Sequence, residues 1–320
     1  MKTLVTGGGG FIGSHLAAHL AELGHDIRIL DNFASGQRSN MLALPDDVEL
    51  IEGDIQSYER AHNAVICCDI VFHQAALPSV PRSVQDPLTS NATNITGTLN
   101  VLLAARDAGV RRVIFASSSS IYGSSPEMPK REDVLPLPIS PYAAAKLACE
   151  GYCRSFAEVY GLETVALRYF NVFGPRQDPR SEYAAAVPKF INELMAGESP
   201  TVFGDGEQSR DFAYVQNIVE ANVLAMDAQG VAGQVFNVAC GAAVTINELL
   251  DELRLLLDTD IEADYVAPRP GDVRHSLADI SRARTALDYE PSVHLREGLR
   301  RTVEHFRQEG LPVREMAPTR

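Results

Sequence analysis

An apolar segment, Thr3-Leu4-Val5-Thr6, runs directly into Gly7-Gly8-Gly9-Gly10-Phe11-Ile12-Gly13, and an amphipathic segment follows at once. Few folds accommodate that order. In a strand–turn–helix unit, a residue without Cβ permits the tight turn, a second lets the backbone approach a pyrophosphate, and a third lets helix and strand pack closely. Gly7, Gly10 and Gly13 are spaced for those three tasks. A phosphate would then rest on the N–H groups and the positive end of the helix. Glycines alone could form only a flexible turn. The flanking segments argue otherwise, because Ile12, Leu16, Leu20 and Leu23 recur at intervals of four, four and three, one face of a helix.

The same alternation continues through the first half. Strands are predicted at Thr3–Thr6, Asp26–Leu30, Glu49–Ile51, Ile70–Phe72, Val113–Ala116 and Thr164–Leu167, with helical periodicity between them, as in Leu99, Leu102 and Leu103 after Asn94. Gly24 and Gly109 stand where helices end and a left-handed residue is wanted. Strand–helix alternation on this scale implies an α/β fold with a parallel, doubly wound sheet. In the second half, prolines at 175, 179, 188 and 200 surround a helix near Val187–Ala196. A strand is expected at Gln234–Val238, helices near Ile246–Leu257 and Leu295–Arg307, a loop at Pro268–Asp272 and a poorly ordered tail at Glu309–Arg320. The expected division is a nucleotide-binding domain from 1–173 with 212–240, and a smaller mixed α/β domain from 174–211 with 241–320.

The 320 residues suffice for a large core, and the net charge of −14 with no Lys/Arg block argues against a nucleic-acid surface. There is no apolar run of about 18 residues and no signal-like N-terminus, so neither a membrane span nor secretion is expected. Five cysteines, Cys67, Cys68, Cys149, Cys153 and Cys240, fit a reducing cytoplasmic setting. Cys149 and Cys153 are four apart, which could suggest a metal pair; small buried residues facing another helix is the simpler reading, and no metal is expected.

Asp31 closes the second predicted strand, 18 residues past Gly13. Its carboxylate would accept from adenosine ribose hydroxyls and repel a 2′-phosphate, which favours NAD over NADP. The alternative is a helix cap or turn residue. Asp54 and Ile55, after the third strand, would flank the adenine, with a simple cap again the alternative for Asp54. Farther on, Ser117-Ser118-Ser119-Ser120 tips the fifth strand, and Tyr142 and Lys146 stand four apart in Ser140-Pro141-Tyr142-Ala143-Ala144-Ala145-Lys146. On a helix those two share a face. A phenol titrating near 10 is a poor base at neutrality. A lysine ammonium and an oxidised nicotinamide both favour phenolate, so the pair reads as an acid/base with Ser118 bridging to substrate. Without the glycine turn and the serine-tipped strand, a surface Tyr and Lys would be the better reading.

These motifs together resemble the extended short-chain dehydrogenase/reductase family and, within it, the UDP-hexose 4-epimerases, most nearly the bacterial enzymes acting on UDP-N-acetylglucosamine and UDP-N-acetylgalactosamine. The matching stretches run in family order over nearly the whole chain: Thr6–Gly13, Phe72–Ala76, Phe115–Gly123, Tyr142–Lys146, Leu167–Gly174, Ser209–Phe212 and Arg269–Ser276. The resemblance implies Ser118, Tyr142 and Lys146 as catalytic residues and a tightly held, recycled NAD. Besides the glycines and Asp31, cofactor contacts would come from Phe11, Ile12, Asn32, Ser35, Gly36, Ala75, Ala76, Ser117 and Val172, with Asn94 supporting the serine and lysine. Tyr169, Phe170 and Asn171 would lie along nicotinamide and sugar. Arg210 and Arg269 would clamp the UDP diphosphate, as planar, always-charged ligands can. Asp272 would hold a ribose hydroxyl, and Phe203 and Val187 would lie at the nucleotide.

Family members that dehydrate or decarboxylate a nucleotide sugar carry acidic residues beside the strand-end Ser/Thr; here Ser118-Ser119-Ser120-Ile121 offers none, which favours epimerisation. Ser276 stands where epimerases restricted to plain hexoses usually place tyrosine, leaving room for an acetamido group. Pro78 matches neither the lysine of the strict hexose enzymes nor the glycine of the acetamido-preferring ones. Ser119, Gln177 and Ala185 would complete the sugar wall, and Arg82 or Arg180 could instead meet the carboxylate of a UDP-glucuronate. A non-enzymatic NAD-binding scaffold is the rival outside catalysis, but such members often lose the Tyr or Lys kept here. Relatives often dimerise through paired helices, and Ala144, Leu147, Ala148 and Gly151 suit a homodimer or a monomer core.

Overall fold

The computed structural model describes residues 1–179, 185–268 and 273–310. Its centre is a seven-stranded sheet built from β1 (Lys2–Thr6), β2 (Asp26–Asp31), β3 (Glu49–Glu52), β4 (Ile70–His73), β5 (Arg112–Ser118), β6 (Glu163–Tyr169) and the strand Gln234–Val238. The order across the sheet is Gln234–Val238, β6, β5, β4, β1, β2, β3, with every pairing parallel. A parallel sheet is covered on both faces, so its strands are near-continuous apolar runs. The burial of β4 and of Val113–Phe115 follows that pattern, and apolar clusters cover the two faces. Fully buried rings such as Phe72 and Phe115 each contribute about 1.5–3 kcal/mol relative to exposure.

The strand order reverses between β1 and β4, and in an open α/β sheet ligands bind at the carboxyl ends of the strands beside such a reversal. The helix α1 (Phe11–Glu22) leaves β1 there and buries Leu16 and Leu20. Leu23 departs from the predicted face: it is the residue after the helix and half exposed, because Gly24 (φ +79°) turns the chain away. Gly109 (φ +72°) ends the Gly97–Asp107 helix in the same left-handed conformation.

A third apolar cluster lies beyond the strand ends. Val187, Phe190 and Ile191 of the Ala186–Met195 helix meet Leu249 and Leu253 of the Ile246–Leu257 helix and Val303 and Phe306 of the Leu295–Glu309 helix. Thr245 and Glu248 cap the second of these reciprocally, satisfying two otherwise orphan backbone N–H groups. Short strand pairs join this layer, Ser209–Asp211 with Ala243–Thr245 and Thr201–Phe203 with Asp264–Val266. Phe173, Phe212 and Tyr214 enter the same cluster from segments assigned by sequence to the other unit, so the two parts share apolar packing. Most of the predicted 268–272 loop and all but Glu309 and Gly310 of the predicted tail lie outside the described residues. No helix of the described residues is long and apolar enough to cross a membrane.

Candidate active site

The glycine turn is a tight cradle. Gly7 has φ +73°, and a Cβ there would lie 2.6 Å from the Ala75 nitrogen, which brings Ala75 against the turn. A Cβ on Gly13 would stand 2.1 Å from the Gly7 carbonyl oxygen, so only glycine lets α1 pack this close to β1. Gly10 precedes α1, and no side chain caps the first turn, which leaves the amides of Phe11 and Ile12 at the positive helix end without a side-chain acceptor. These residues fit the pyrophosphate of a dinucleotide.

Asp31 is buried at the end of β2. Its Oδ2 accepts from the Gly9 N–H (2.8 Å) and its Oδ1 from the Phe33 N–H (2.7 Å). Each carboxylate oxygen retains a lone pair for a ribose hydroxyl. The loop carrying Asn32, Ser35 and Gly36 folds back on the turn, where Gln37 N–H and Asn40 Nδ2 both donate to the Gly9 carbonyl. Asp54 accepts from Asn32 Nδ2 and from the Gln56 N–H, each at 2.8 Å, the geometry of a turn former. The Ile55 side chain is buried in the core, where it would meet a Cβ on Gly97.

Strand β5 runs to Ser118 and continues as a short 3-10 turn, Ser119–Tyr122. The Pro141–Tyr160 helix begins with Ser140 as its cap and Pro141 at its first position, and so presents Tyr142 and Lys146 to that strand end. The Lys146 ammonium donates to the Ala116 carbonyl (2.7 Å), lies 4.8 Å from the Phe115 ring centre and 5.8 Å from that of Tyr142. Burial lowers its pKa to about 8. The Tyr142 phenol departs from the sequence expectation of a lowered pKa: burial pushes it up to about 12, with the nearby Ser118 hydroxyl pulling the other way. A buried phenolate loses its hydration, and the Lys146 ammonium is turned to a backbone carbonyl. An oxidised nicotinamide beside the ring would act in the opposite sense.

Behind the strand end lies a buried polar network that sequence reasoning missed. Glu150 and Arg168 form a two-pronged ion pair (2.9 and 2.8 Å) with side chains 5% and 4% exposed. Ser117 donates to Glu150, Arg168 donates to the Tyr122 hydroxyl, and Tyr122 donates to Asn237. The Ser117 hydroxyl proton is therefore committed to Glu150, which leaves its oxygen only as an acceptor. His73 bridges Thr6 and Thr98. Thr98 donates to the Asn94 carbonyl, so His73 Nε2–H is the donor to Thr98 and Nδ1 accepts from Thr6. Burial first, and the Lys146 charge second, hold His73 at about 3 and keep it neutral. Asn94 sits in a π-helical turn, Ala92–Thr96, with its amide on both backbone groups of Leu77 and its carbonyl accepting from Cys149 Sγ. Cys149 and Cys153 are buried core residues.

A cavity of about 230 Å³ opens between the sheet ends and the third cluster, lined by Asn171, Val172, Ala185, Val187, Phe203 and Arg210, among others. Lys189 also lines it, with Nζ 5.8 Å from the Phe203 ring centre; its only signal in the sequence was its place one turn into the helix after Ala185. Arg210 reaches over the Ser209 and Arg274 carbonyls (2.9 and 3.1 Å). Pro78, Arg82, Ser119, Gln177 and Ser276 are not in this lining; the Gln177 amide donates to the Val172 carbonyl, and the Ser276 N–H donates to Ser209. The Tyr169 hydroxyl is held by Gln74 and Asn222, and Phe170 is fully buried against Tyr122, so their side chains serve the core. Arg269 and Asp272, and the alternative Arg180, lie outside the described residues.

A glycine cradle at the sheet reversal, an acidic residue after β2 and a Tyr–Lys helix beside a serine-tipped strand describe a nucleotide-dependent oxidoreductase-type site. The family model for the NAD dependent epimerase/dehydratase family matches residues 3–239, and the chain belongs to that family, with NAD as its cofactor. It is 40% identical over 311 residues to the UDP-glucose 4-epimerase of Mycolicibacterium smegmatis, covering 96% of this chain and 99% of the relative. Among solved structures it is similar to the UDP-N-acetylglucosamine 4-epimerase of Methanobrevibacter ruminantium in complex with UDP-N-acetylmuramic acid (TM-score 0.91, 45% identity, 96% and 98% of the two chains covered). The UDP-glucose 4-epimerase of Thermotoga maritima with UDP-glucose is similarly close (TM-score 0.93, 41% identity, 97% and 99% covered).

Proposed function

We propose that this protein is a UDP-sugar 4-epimerase that interconverts UDP-N-acetylglucosamine with UDP-N-acetylgalactosamine and also accepts the UDP-glucose/UDP-galactose pair. The observation that carries the reading is the Tyr142–Lys146 pair, with Nζ 5.8 Å from the phenol ring centre and bonded to Ala116 of β5, beside a strand end that supplies serine hydroxyls and no free carboxylate. The acid behind it, Glu150, is engaged by Arg168. Elimination of water or carbon dioxide calls for further acid/base groups, whereas epimerisation needs one group that takes and returns a proton.

Tyr142 would remove the proton from the sugar 4-hydroxyl and give it back, and Ser118 would bridge that oxygen and the phenol. Lys146, charged at neutral pH with its lowered pKa near 8, supplies positive potential beside the ring. Bound NAD, held by the glycine cradle and Asp31, would supply the hydride acceptor and donor for C4. Inversion requires the 4-keto sugar to present its other face, so the nucleotide must be gripped and the sugar held loosely. Arg210, Phe203 and Val187 in the cavity wall suit the grip. Ser276 is stitched beside the Arg210 strand, outside the lining of this cavity, and its small side chain would leave room for a 2-acetamido group of a sugar reaching that far. We further propose a cytoplasmic homodimer paired through the Pro141–Tyr160 helix, where Ala144 and Tyr152 are exposed and a Cβ on Gly151 would meet nothing.

The test is product analysis by NMR with UDP-N-acetylglucosamine and, separately, UDP-glucose, with no NAD added. The 4-epimer from both is expected. Turnover of UDP-glucose alone would overturn the acetamido assignment and point to Pro78. No epimer from either would overturn the hexose reading and leave UDP-glucuronate to be tried.

A further inference from the structure

Asp211 is fully buried, contributes nothing to the cavity wall, and yet collects hydrogen bonds from three separate stretches of chain. Its Oδ1 accepts from the Cys240 N–H (2.9 Å), and its Oδ2 accepts from the Gly241 N–H (2.9 Å) and the Ala278 N–H (3.3 Å). Its own carbonyl accepts from the Asn171 side-chain amide (3.0 Å). Asn171 lies just past the end of β6 and Cys240 just past the end of the Gln234–Val238 strand, so the sheet holds two of these partners directly. On the other side, Ser209–Asp211 pairs with Ala243–Thr245, and Ser209 exchanges backbone hydrogen bonds with Arg274 and Ser276.

The positions are telling. Under the division read from the sequence, the chain passes between its two parts after residues 173, 211 and 240. Asp211 and Cys240–Gly241 lie on two of those passages, and Asn171 stands just before the third. Three residues of the substrate cavity, Asn171, Arg210 and Phe212, are bonded to Asp211 or next to it in sequence.

We infer that Asp211 is a positioning residue: its carboxylate ties its own passage to Cys240–Gly241 and to Ala278, its backbone carbonyl holds Asn171, and together these set how far the nucleotide-gripping layer, with Arg210, stands from Tyr142 at the end of β5. This rests on the epimerase reading above. The side-chain chemistry is selective. An ionised carboxylate only accepts, so it can satisfy three N–H groups at once. An asparagine of the same shape would turn a donor toward at least one of them, and an apolar residue would orphan them all. Asp211 touches no reacting atom in this scheme. It acts through Arg210 and Asn171.

The experiment compares wild type with Asp211→Asn and Asp211→Glu in the full-length holoenzyme. Hydrogen exchange should show amides Cys240, Gly241 and Ala278 losing protection together in Asp211→Asn, while Phe236 within the sheet keeps its own. In kinetics, a displacement of about 1 Å between gripped nucleotide and catalytic groups can cost about 100-fold. We therefore expect kcat to fall at least about tenfold in both variants, with the dissociation constant for UDP changed less than about threefold and bound NAD retained. Asp211→Glu keeps the charge but lengthens the arm, so it tests placement even where Asp211→Asn fails to fold. Unchanged protection at the three amides refutes the stitch whatever the activity. A kcat within about threefold of wild type in Asp211→Glu, or a parallel loss of UDP affinity, NAD and kcat, refutes the positioning role. Wild type that epimerises no UDP-sugar refutes the function proposed above and leaves the exchange result standing on its own.

Discussion

Replacing Glu150 by glutamine should destabilise the protein more than any surface ion-pair variant. The pair it forms with Arg168 is sealed from water, with side chains 5% and 4% exposed, so solvent screening does little to soften the loss. Breaking a buried pair from one side leaves an uncompensated charge and costs about 3–5 kcal/mol. Ser117 and Tyr122, both bonded into the same network, lose their alignment as well. At about 2.1 cal/mol/K of unfolding entropy per residue, a chain of 320 residues loses roughly 1.5 °C of Tm per kcal/mol, so the expected drop is about 5–7 °C. Calorimetry at fixed protein and NAD concentrations measures it, since bound cofactor itself moves Tm. The double variant Glu150→Leu with Arg168→Met removes both charges and should regain at least half of the loss, because no charge is left buried alone. A Glu150→Gln drop below about 1 °C, or a double variant as unstable as the sum of its parts, would refute this account of the strand end.

Other outcomes follow from the same geometry. Gly13→Ala places a methyl 2.1 Å from the Gly7 carbonyl, so the purified variant should carry no NAD by absorbance, whereas Gly24→Ala, with open space around it, should keep its cofactor. Tyr142→Phe should lower kcat by about 100-fold or more with NAD content unchanged, as expected for loss of a proton-transfer group. Lys146 titrates near 8 in the folded protein against an ordinary 10.5. Between those values the unfolded chain binds more protons, so stability should rise with pH from about 8 to 10.5, and Lys146→Met should flatten that slope in denaturant titrations. Ser276→Tyr should cut kcat/KM for UDP-N-acetylglucosamine more than about tenfold while changing that for UDP-glucose less than threefold. Equal losses would remove Ser276 from the sugar wall.

The sheet was legible because a strand buried on both faces leaves an uninterrupted apolar run, and the six early strands were placed to within a residue or two. The misplacements have simple causes. β5 extends into Ser117 and Ser118 because ladder pairing with β6 continues past the last apolar residue. Leu23 matched the helical spacing but fell beyond the helix end. The Tyr–Lys helix was readable from its spacing and its Ser-Pro start. What Lys146 does with its charge was not, because the Ala116 carbonyl it meets comes from another element. The Glu150–Arg168 pair was invisible for the same reason: 18 residues and a change from helix to strand separate the partners. Glu150 does stand four residues after Lys146, on the same face, but that spacing says nothing about what lies opposite. The upward shift of the Tyr142 phenol comes from burial, which depends on the packed structure and leaves no mark on local sequence.

The long-range pairing of β1 with β4 also bears on biosynthesis. During vectorial synthesis the glycine cradle lacks its far wall until Ala75 has emerged, and is then complete while most of the chain is still to be made. The stitch at Asp211 must wait for Ala278, roughly two hundred residues later. At about 5–20 residues per second that is an interval of roughly 10–40 s. A nascent chain could therefore recruit dinucleotide from the cell before it has any means of gripping a sugar nucleotide. The cofactor would act as an early folding partner, and truncations ending between residues 75 and 278 would be the ribosome-bound species in which to look for it.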